Sequence, residues 1–464
     1  MKIHKLLAFA LLVAFLTLSS NVQNSSAEDA LGINNEELLG GFDDEPLSSG
    51  DEEITSSSEH SSIKNSWVDV TGQLLLSSSY NYSHKEPSPG KTDFRGLSRL
   101  RAALLLELTG DLPLGWKGFV SGSGFYDYAY TLNGRDDYSQ DLLDLHERES
   151  ELREAYIEGA VSKNIDLKLG RQIVVWGKSD NIRITDILNP LDNREPGMID
   201  IEDLRLPINM ARANVYFGNW NFEAISILEK RFNKNPAYGS DFYYAPMKMP
   251  DDVIPSEPEY AFALKGIFSG FDISFFTAKI YDDMPHAEGA FPKITIEHSY
   301  LSMTGFALNI ASGNILYKSE VAYFDGLEYL NAKGEKKSRA DVLLGMEYQG
   351  FTDQVISFEI VNKHIFDFVE GMKNIPDYAE EDSYQTALRY SGNFMHQRLH
   401  ILLLIAGFGP QSDEGGFQRF SAGYDIADAL LVTAGAINYD PGTSAFLKNI
   451  GNNDRTFLEL KWSF

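Results

Sequence analysis

The sequence predicts an all-β protein, an antiparallel transmembrane β-barrel of about eighteen strands with short periplasmic turns and long extracellular loops. Three observations carry this expectation. The chain ends in Arg455-Thr456-Phe457-Leu458-Glu459-Leu460-Lys461-Trp462-Ser463-Phe464, with apolar residues at 458, 460, 462 and 464 and mostly polar ones between them. A period of two gives such a strand one face for lipid and one for water. The other end carries Lys2 and Lys5, an apolar run from Leu6 to Leu18, and the small residues Ser25-Ser26-Ala27. This is the pattern of a cleaved secretory signal over residues 1–27, too short for a membrane span. Between the two ends, strand-like segments are joined by connections that alternate between short and long.

Composition agrees with an exported barrel in the bacterial outer membrane. The 464 residues include no cysteine, so there is no disulfide framework, no thiolate metal site and no thiol nucleophile. Hydrophobic residues make up 43% and the mean hydropathy is −0.24, too polar for a bundle of membrane helices. The 23 Tyr, 29 Phe and 5 Trp suit a barrel, whose rims are girdled by aromatic rings. A net charge of −27 excludes a nucleic-acid partner, because no basic stripe exists to displace counterions from phosphates.

Residues 28–66 are Ser-rich and acidic, with Glu28, Asp29, Glu36, Glu37, Asp43, Asp44 and Glu45 among the charges and no Lys or Arg before Lys64. Such a segment buries too little apolar surface to fold alone and is expected to be a disordered periplasmic arm. The alternative is a small plug or partner-binding tail using Leu38, Leu39 and Phe42. It is too short to be the folded plug domain of an energised receptor.

From Trp67 the strands are expected near 67–82, 97–109, 116–130, 151–160, 165–175, 212–217, 221–231, 259–268, 271–281, 299–310, 315–324, 339–349, 354–365, 383–391, 395–407, 417–426, 429–439 and 455–464. Even-numbered strands end in tight turns such as Ser162-Lys163-Asn164, Gly218-Asn219 and Ser312-Gly313-Asn314. Odd-numbered strands end in long, charged, Pro-bearing connections such as 83–94, 232–258 and 282–297. Short turns on one rim and long loops on the other is the outer-membrane plan. Trp67, Trp116, Trp220 and Trp462 fall on the short-turn side and Trp176 on the long-loop side, as interfacial rings should. Individual strands carry two faces: Val342, Leu344, Met346 and Tyr348 oppose Arg339, Asp341, Gly345 and Glu347. A charge facing lipid at mid-depth costs about 2–4 kcal/mol, so the charged face belongs to a wet lumen.

The densest segment is Leu169-Gly170-Arg171-Gln172-Ile173-Val174-Val175-Trp176-Gly177-Lys178-Ser179-Asp180, followed by Asp186-Ile187-Leu188-Asn189-Pro190-Leu191-Asp192. Over roughly 150–230 these residues resemble a widespread, poorly characterised family of porin-like outer-membrane barrels. In that family a Gly-Arg-Gln strand leads into Trp-Gly-x-x-Asp and Asn-Pro-Leu-Asp. The resemblance implies a barrel and transport across the outer membrane, and no particular substrate. The connection near 176–211 is long for a loop without a role. Folded into the lumen, it would narrow the pore with Asp180, Arg183, Asp186, Asp192 and Arg194, while Trp176, Ile182, Ile184, Ile187 and Leu188 found an apolar seat. Ile184–Leu188 is expected to form a helical turn ended by Asn189-Pro190, since the residue before proline avoids the helical region. The alternative is a solvated extracellular loop.

Strand parity also sets candidate wall residues. Arg389, Arg398, Arg419, Arg455, Lys461, Arg99 and Arg101 are expected to form a basic arc, with Glu154, Glu158, Glu347 and Glu359 across from it. A field across a lumen orients polar solutes and tunes selectivity; the alternative is that these charges only pair and stiffen the wall. Arg171 poses a local conflict, because Ile165, Leu167 and Leu169 put its parity outward. A bulge at Gly170 would turn it into the lumen wall.

The function expected is an outer-membrane porin-like channel for passive passage of small solutes, narrowed by the loop after the fifth strand. The alternatives are a plugged channel for hydrophobic substrates or export, and an enzyme or adhesin on a barrel scaffold. No metalloprotease, Walker or nucleophile-elbow pattern occurs, so no catalytic residues are expected. No cofactor or metal is expected either. The expected partners are outer-membrane lipid, small solutes, and the barrel-insertion machinery, which would read the terminal strand ending at Phe464.

Overall fold

The computed structural model describes residues 68–199, 201–243, 245, 247–290 and 293–464. The expected signal (1–27), the acidic arm (28–66) and Trp67 lie outside the described residues. In chain order the strands are β1 (Val68–Asn81), β2 (Gly96–Asp111), β3 (Lys117–Asp127), β4 (Arg148–Ser162), β5 (Ile165–Gln172), β6 (Ile208–Phe217) and β7 (Trp220–Ile227). There follow β8 (Glu259–Phe268), β9 (Phe271–Tyr281), β10 (His286–Ala290), β11 (Lys293–Glu297), β12 (Tyr300–Ser312), β13 (Ile315–Leu327) and β14 (Lys337–Phe351). The last six are β15 (Gln354–Ile365), β16 (Asp382–Phe394), β17 (Leu399–Phe408), β18 (Gly415–Ala427), β19 (Leu430–Asp440) and β20 (Arg455–Ser463).

All but β10 and β11 form one closed, antiparallel, 18-stranded barrel, in which each strand pairs with its barrel neighbours along the chain and β20 returns to β1. The closing seam runs from Gln73 opposite Ser463 to Asn81 opposite Arg455. Phe464 extends it: its N–H donates to the Gly72 carbonyl at 3.0 Å, and the Gly72 N–H to the Phe464 carbonyl at 2.9 Å. A Cβ on Gly72 would lie 2.7 Å from the Phe464 ring, so the terminal aromatic sits on bare backbone. Closure removes the unpaired edges that an open sheet would present.

Alternation along each strand assigns the faces. Leu104, Leu106 and Leu108 on β2 and Val342, Leu344 and Met346 on β14 are exposed, whereas the charged Glu320 (β13), Asp341 (β14) and Glu359 (β15) are buried. Apolar residues outside and charged ones inside is the inverse of a soluble core, and it suits lipid around a polar interior. Aromatic pairs gather at the short-turn rim, with Trp462 and Phe464 rings 5.1 Å apart and Trp220 edge-on to Phe268 at 5.4 Å. Among the described residues no helix is long and apolar enough to cross a membrane.

Several strand ends differ from expectation for identifiable reasons. β5 stops at Gln172 because the next two amides leave the ladder for side chains: Ile173 donates to Glu154 at 3.1 Å and Val174 to Asn189 at 2.8 Å. β17 starts at Leu399 because Met395, His396 and Gln397 hold left-handed φ values of 54°, 58° and 64°, which end a strand. The hairpin β10–β11 inside the connection 282–299 was not expected; it pairs His286 with Glu297 through Ala290 with Lys293.

Candidate functional site

The connection 173–207 packs onto the inner face of the barrel. Trp176, at the long-loop end of its strand, is buried in the apolar seat expected for an inward-folded connection, its ring stacked on Phe276 at 4.9 Å. Its indole N–H donates to Glu223 at 2.7 Å, a carboxylate that also pairs with Arg212 at 2.6 Å. Val174, Ile182, Ile184 and Leu188 join one apolar cluster with the inward Met210, Ala261, Ala263, Ala278, Met303, Ala307 and Ala322. Small side chains on these strands leave the room that the connection fills, to the close packing of a protein interior.

Two wall carboxylates grip its backbone. Glu320 accepts from the amides of Lys178 (2.5 Å), Ser179 (2.8 Å) and Thr185 (3.1 Å) and from the Thr185 hydroxyl (2.8 Å). Glu359 accepts from the amides of Asp180 (2.9 Å) and Asn181 (3.2 Å) and from the Ser179 hydroxyl (2.9 Å). Gly177, at φ +90°, passes so close that a Cβ would lie 2.9 Å from the Glu320 carboxylate, so this turn requires glycine. Beside it Asp180 pairs with Lys318 at 2.6 Å, and Lys318 with Glu347 at 3.0 Å.

The rest of the motif knots the connection to itself. Arg183 donates to the carbonyls of Asp186 (2.6 Å) and Asn189 (2.7 Å). Asp186 accepts from the Trp176 amide (3.1 Å) and from Arg205 (2.8 Å). Asn189 accepts from Val174 at 2.8 Å and donates to the Leu206 carbonyl at 2.9 Å, stapling the start of the connection to its end. The helical turn expected over 184–188 does not form, because these side-chain bonds hold the backbone irregular; a single turn forms instead at Ile201–Leu204. Asp192 and Arg194 pair at 2.5 Å, and Arg194 also reaches Glu149 at 2.7 Å. Burial opposes ionisation of Asp192, yet the hydrogen bonds and charge of Arg194 hold it below the usual carboxylate range.

The wall residues divide. Arg99 and Arg101 point inward and meet Glu195 of the connection, Arg101 at 3.7 Å. Arg419 donates to the Gly197 carbonyl at 3.4 Å. Arg389 sits opposite Ser357 and Leu404 on the inner face, and Glu347 meets Lys318. Arg398 is not on the wall. It lies in the turn before β17, donates to the Asp425 and Ile426 carbonyls at 2.9 and 3.4 Å, and stacks on Tyr424 at 5.0 Å. Arg171 is not turned inward either. No register shift occurs at Gly170 in either ladder, and Arg171 stays opposite Ala155 and Asn209, on the face of the exposed Leu169. Its position next to the strand end lets the guanidinium reach Glu229 at 2.5 Å and Glu151 at 3.3 Å, which removes the cost of an isolated charge toward lipid.

Parity alone does not single out Glu223 and Glu320 as anchors. The available signal was an inward Glu flanked by small inward residues, Ala322 beside Glu320. Among the described residues no cluster of three or more His, Cys, Asp or Glu side chains is grouped to hold a metal ion.

Just past β9, Asp283 lines a small cavity with Ile187, Leu188 and Glu259. Burial pushes its carboxyl up to about 8, opposed by Arg183 and reinforced by Asp282, Glu259 and Asp186. Released from the fold it would ionise near the ordinary value of about 3.9. Between these values the folded state binds the extra proton, so its contribution to stability is lost as pH rises from about 4 toward about 8. Protease resistance of the connection should therefore decline over this window in wild type, and Asp283→Asn should flatten the decline. An unchanged slope in the variant would assign the effect to another group.

Residues 57–440 match the model of a family described as "Protein of unknown function (DUF1302)". The chain belongs to that family. No curated protein matches the sequence. Among solved structures, OccAB3 of Acinetobacter baumannii is similar with a TM-score of 0.51 at 13% identity, over 86% of this chain and 99% of that one. A BenF-like porin from Pseudomonas fluorescens Pf-5 is similar with a TM-score of 0.51 at 12% identity, over 86% and 97%. At such identities the likeness is one of fold, that of the porin-like outer-membrane barrels.

Proposed function

We propose that the protein is an outer-membrane channel for the passive passage of small solutes, narrowed by the connection 173–207. The observation that carries this reading is the asymmetry of the inner face. The wall from β6 to β15 is covered by the apolar side of the connection, which Glu320 and Glu359 clamp. Beyond its edge, from β16 round to β1, the inward Arg389, Ser421, Thr433, Glu459, Lys461 and Gln73 remain partly exposed. A polar strip facing a fixed inward loop is how a water-filled pore is made selective. The reading takes residues 1–27 as a secretory signal and 28–66 as a periplasmic arm. It takes the Phe464 strand as the address read by barrel-insertion machinery. Asp180, Asp192 and Arg194, with Arg389 and Arg419, are the charges assigned to the path, while Arg183 and Asp186 hold the connection in shape.

Single-channel recording of the purified protein in planar bilayers tests this. Steady, ohmic conductance is the expected result. A silent barrel that retains detergent or lipid inside would overturn it in favour of a plugged channel for hydrophobic substrates.

A further inference from the structure

On the lipid side of the barrel, strand register sets Leu104 of β2 beside Gly124 of β3 and Ser150 of β4, and Leu106 beside Gly122 and Leu152. The three leucines are exposed ridges and the glycines between them are bare backbone, which opens a groove of about 690 Å³ toward lipid. A Cβ on Gly122 would lie 3.6 Å from the Glu151 carbonyl oxygen, an ordinary contact, so packing within the wall does not require glycine there. One row nearer the long-loop rim, Tyr126 lies opposite Arg148. The Tyr126 ring meets Tyr128 edge-on at 4.7 Å, in the aromatic girdle that marks headgroup level. Arg148 is exposed on the lipid side, since the adjacent Glu149 turns inward to Arg194. Among the described residues no hydrogen bond or ion pair engages its guanidinium, and the neighbouring Glu147 is committed to Arg135 at 2.7 and 2.9 Å.

Glycine inside a strand weakens it, and where the wall itself does not need it, it marks a close approach from outside. From Gly122 to Tyr126 the groove runs four residues, about 13 Å along the strand, within the roughly 15 Å depth of one leaflet. Its apolar floor lies at acyl depth and its free guanidinium at headgroup depth, and a guanidinium bonds phosphate through two N–H groups at once. The long-loop rim faces the outer leaflet. We propose that this groove binds a phosphorylated glycolipid of the outer leaflet, with an acyl chain over Gly122 and Gly124 and a phosphate on Arg148. A second copy of the chain is the poorer occupant. An isologous contact would set Arg148 against the same patch, where the outward neighbours Tyr126 and Ser150 offer no carboxylate.

Native mass spectrometry of the full chain in detergent, titrated with bisphosphorylated lipid A, reads the site without requiring conductance. Arg148→Gln should weaken binding about tenfold by removing the phosphate contact, and Gly122→Leu by about as much by filling the groove. Arg148→Lys should recover part of the loss. Lipid A stripped of phosphate should bind wild type as weakly as intact lipid A binds Arg148→Gln. Heat-modifiable gel migration checks folding, and the exposed Arg148 variants carry the test where Gly122→Leu does not fold. Equal lipid A binding by wild type and Arg148→Gln would reduce the bound lipid to an unspecific annulus and overturn the proposal. Inorganic phosphate binding as tightly as lipid A would overturn the acyl groove. A dimer that Gly122→Leu disperses would assign the face to a second copy instead.

Discussion

Replacing Glu320 and Glu359 together with Ala should raise single-channel conductance several-fold while leaving the barrel folded. Glu320 takes three backbone amides and a hydroxyl of the connection, and Glu359 two amides and a hydroxyl. Hydrogen bonds to a charged group contribute about 1.5–3 kcal/mol each, and buried donors left unpaired add a desolvation cost. Against this, the apolar anchors remain, chiefly Trp176, whose loss alone would cost about 3–5 kcal/mol. The connection also keeps Trp176 on Glu223 and Arg194 on Glu149, so the stretch 177–185 between these holds is the part that should leave the wall. The barrel should survive, because each strand keeps its ladder on both sides and neither glutamate takes part in strand pairing through its side chain. Trypsin cleavage at Lys178 or Arg183, protected in wild type, should appear in the double variant. Wild-type conductance together with protected cleavage sites would show that the apolar cluster alone holds the connection.

The barrel was legible because its physics is local. A strand between lipid and water must alternate, and an alternating pattern with tight turns on one side only closes in one way. Residues such as Leu104, Leu106 and Leu108 announce their face within a few positions. Strand ends were less legible where distant side chains decide them. β5 ends because Glu154 and Asn189 capture the next amides, and neither capture is visible in the run Gly170–Val175. Arg398 departs from strand parity because the turn before it holds three non-Gly residues at left-handed φ. Arg171 keeps strand parity without a bulge, because Glu229 and Glu151 at the strand end remove the cost of its charge. The site charges were found by type, but not by role. Asp180 to Lys318 and Lys178 to Glu320 join residues far apart in sequence, and only closure of the barrel brings them together.

Selectivity should follow the charges that face the path and ignore those already committed to structure. Asp180 and Arg389 are the pair to test. Asp180 shares Lys318 with Glu347, and Arg389 lies near enough for its field to act on Asp180. Asp180→Asn leaves Lys318 less compensated and should shift the permeability ratio toward anions. Arg389→Gln removes a cation from the uncovered wall and should shift it toward cations. Arg398→Gln should change neither, since that side chain bonds turn carbonyls at the opposite rim from the long loops. Asp186→Asn should lower the stability of the connection rather than move selectivity, because its carboxylate holds Arg183, Arg205 and the Trp176 amide. The two selectivity shifts should be larger at low salt, since the screening length falls from about 10 Å at 0.1 M to about 3 Å at 1 M. Reversal potentials under a salt gradient measure all four. Equal values for wild type, Asp180→Asn and Arg389→Gln would mean that ions do not pass between these residues.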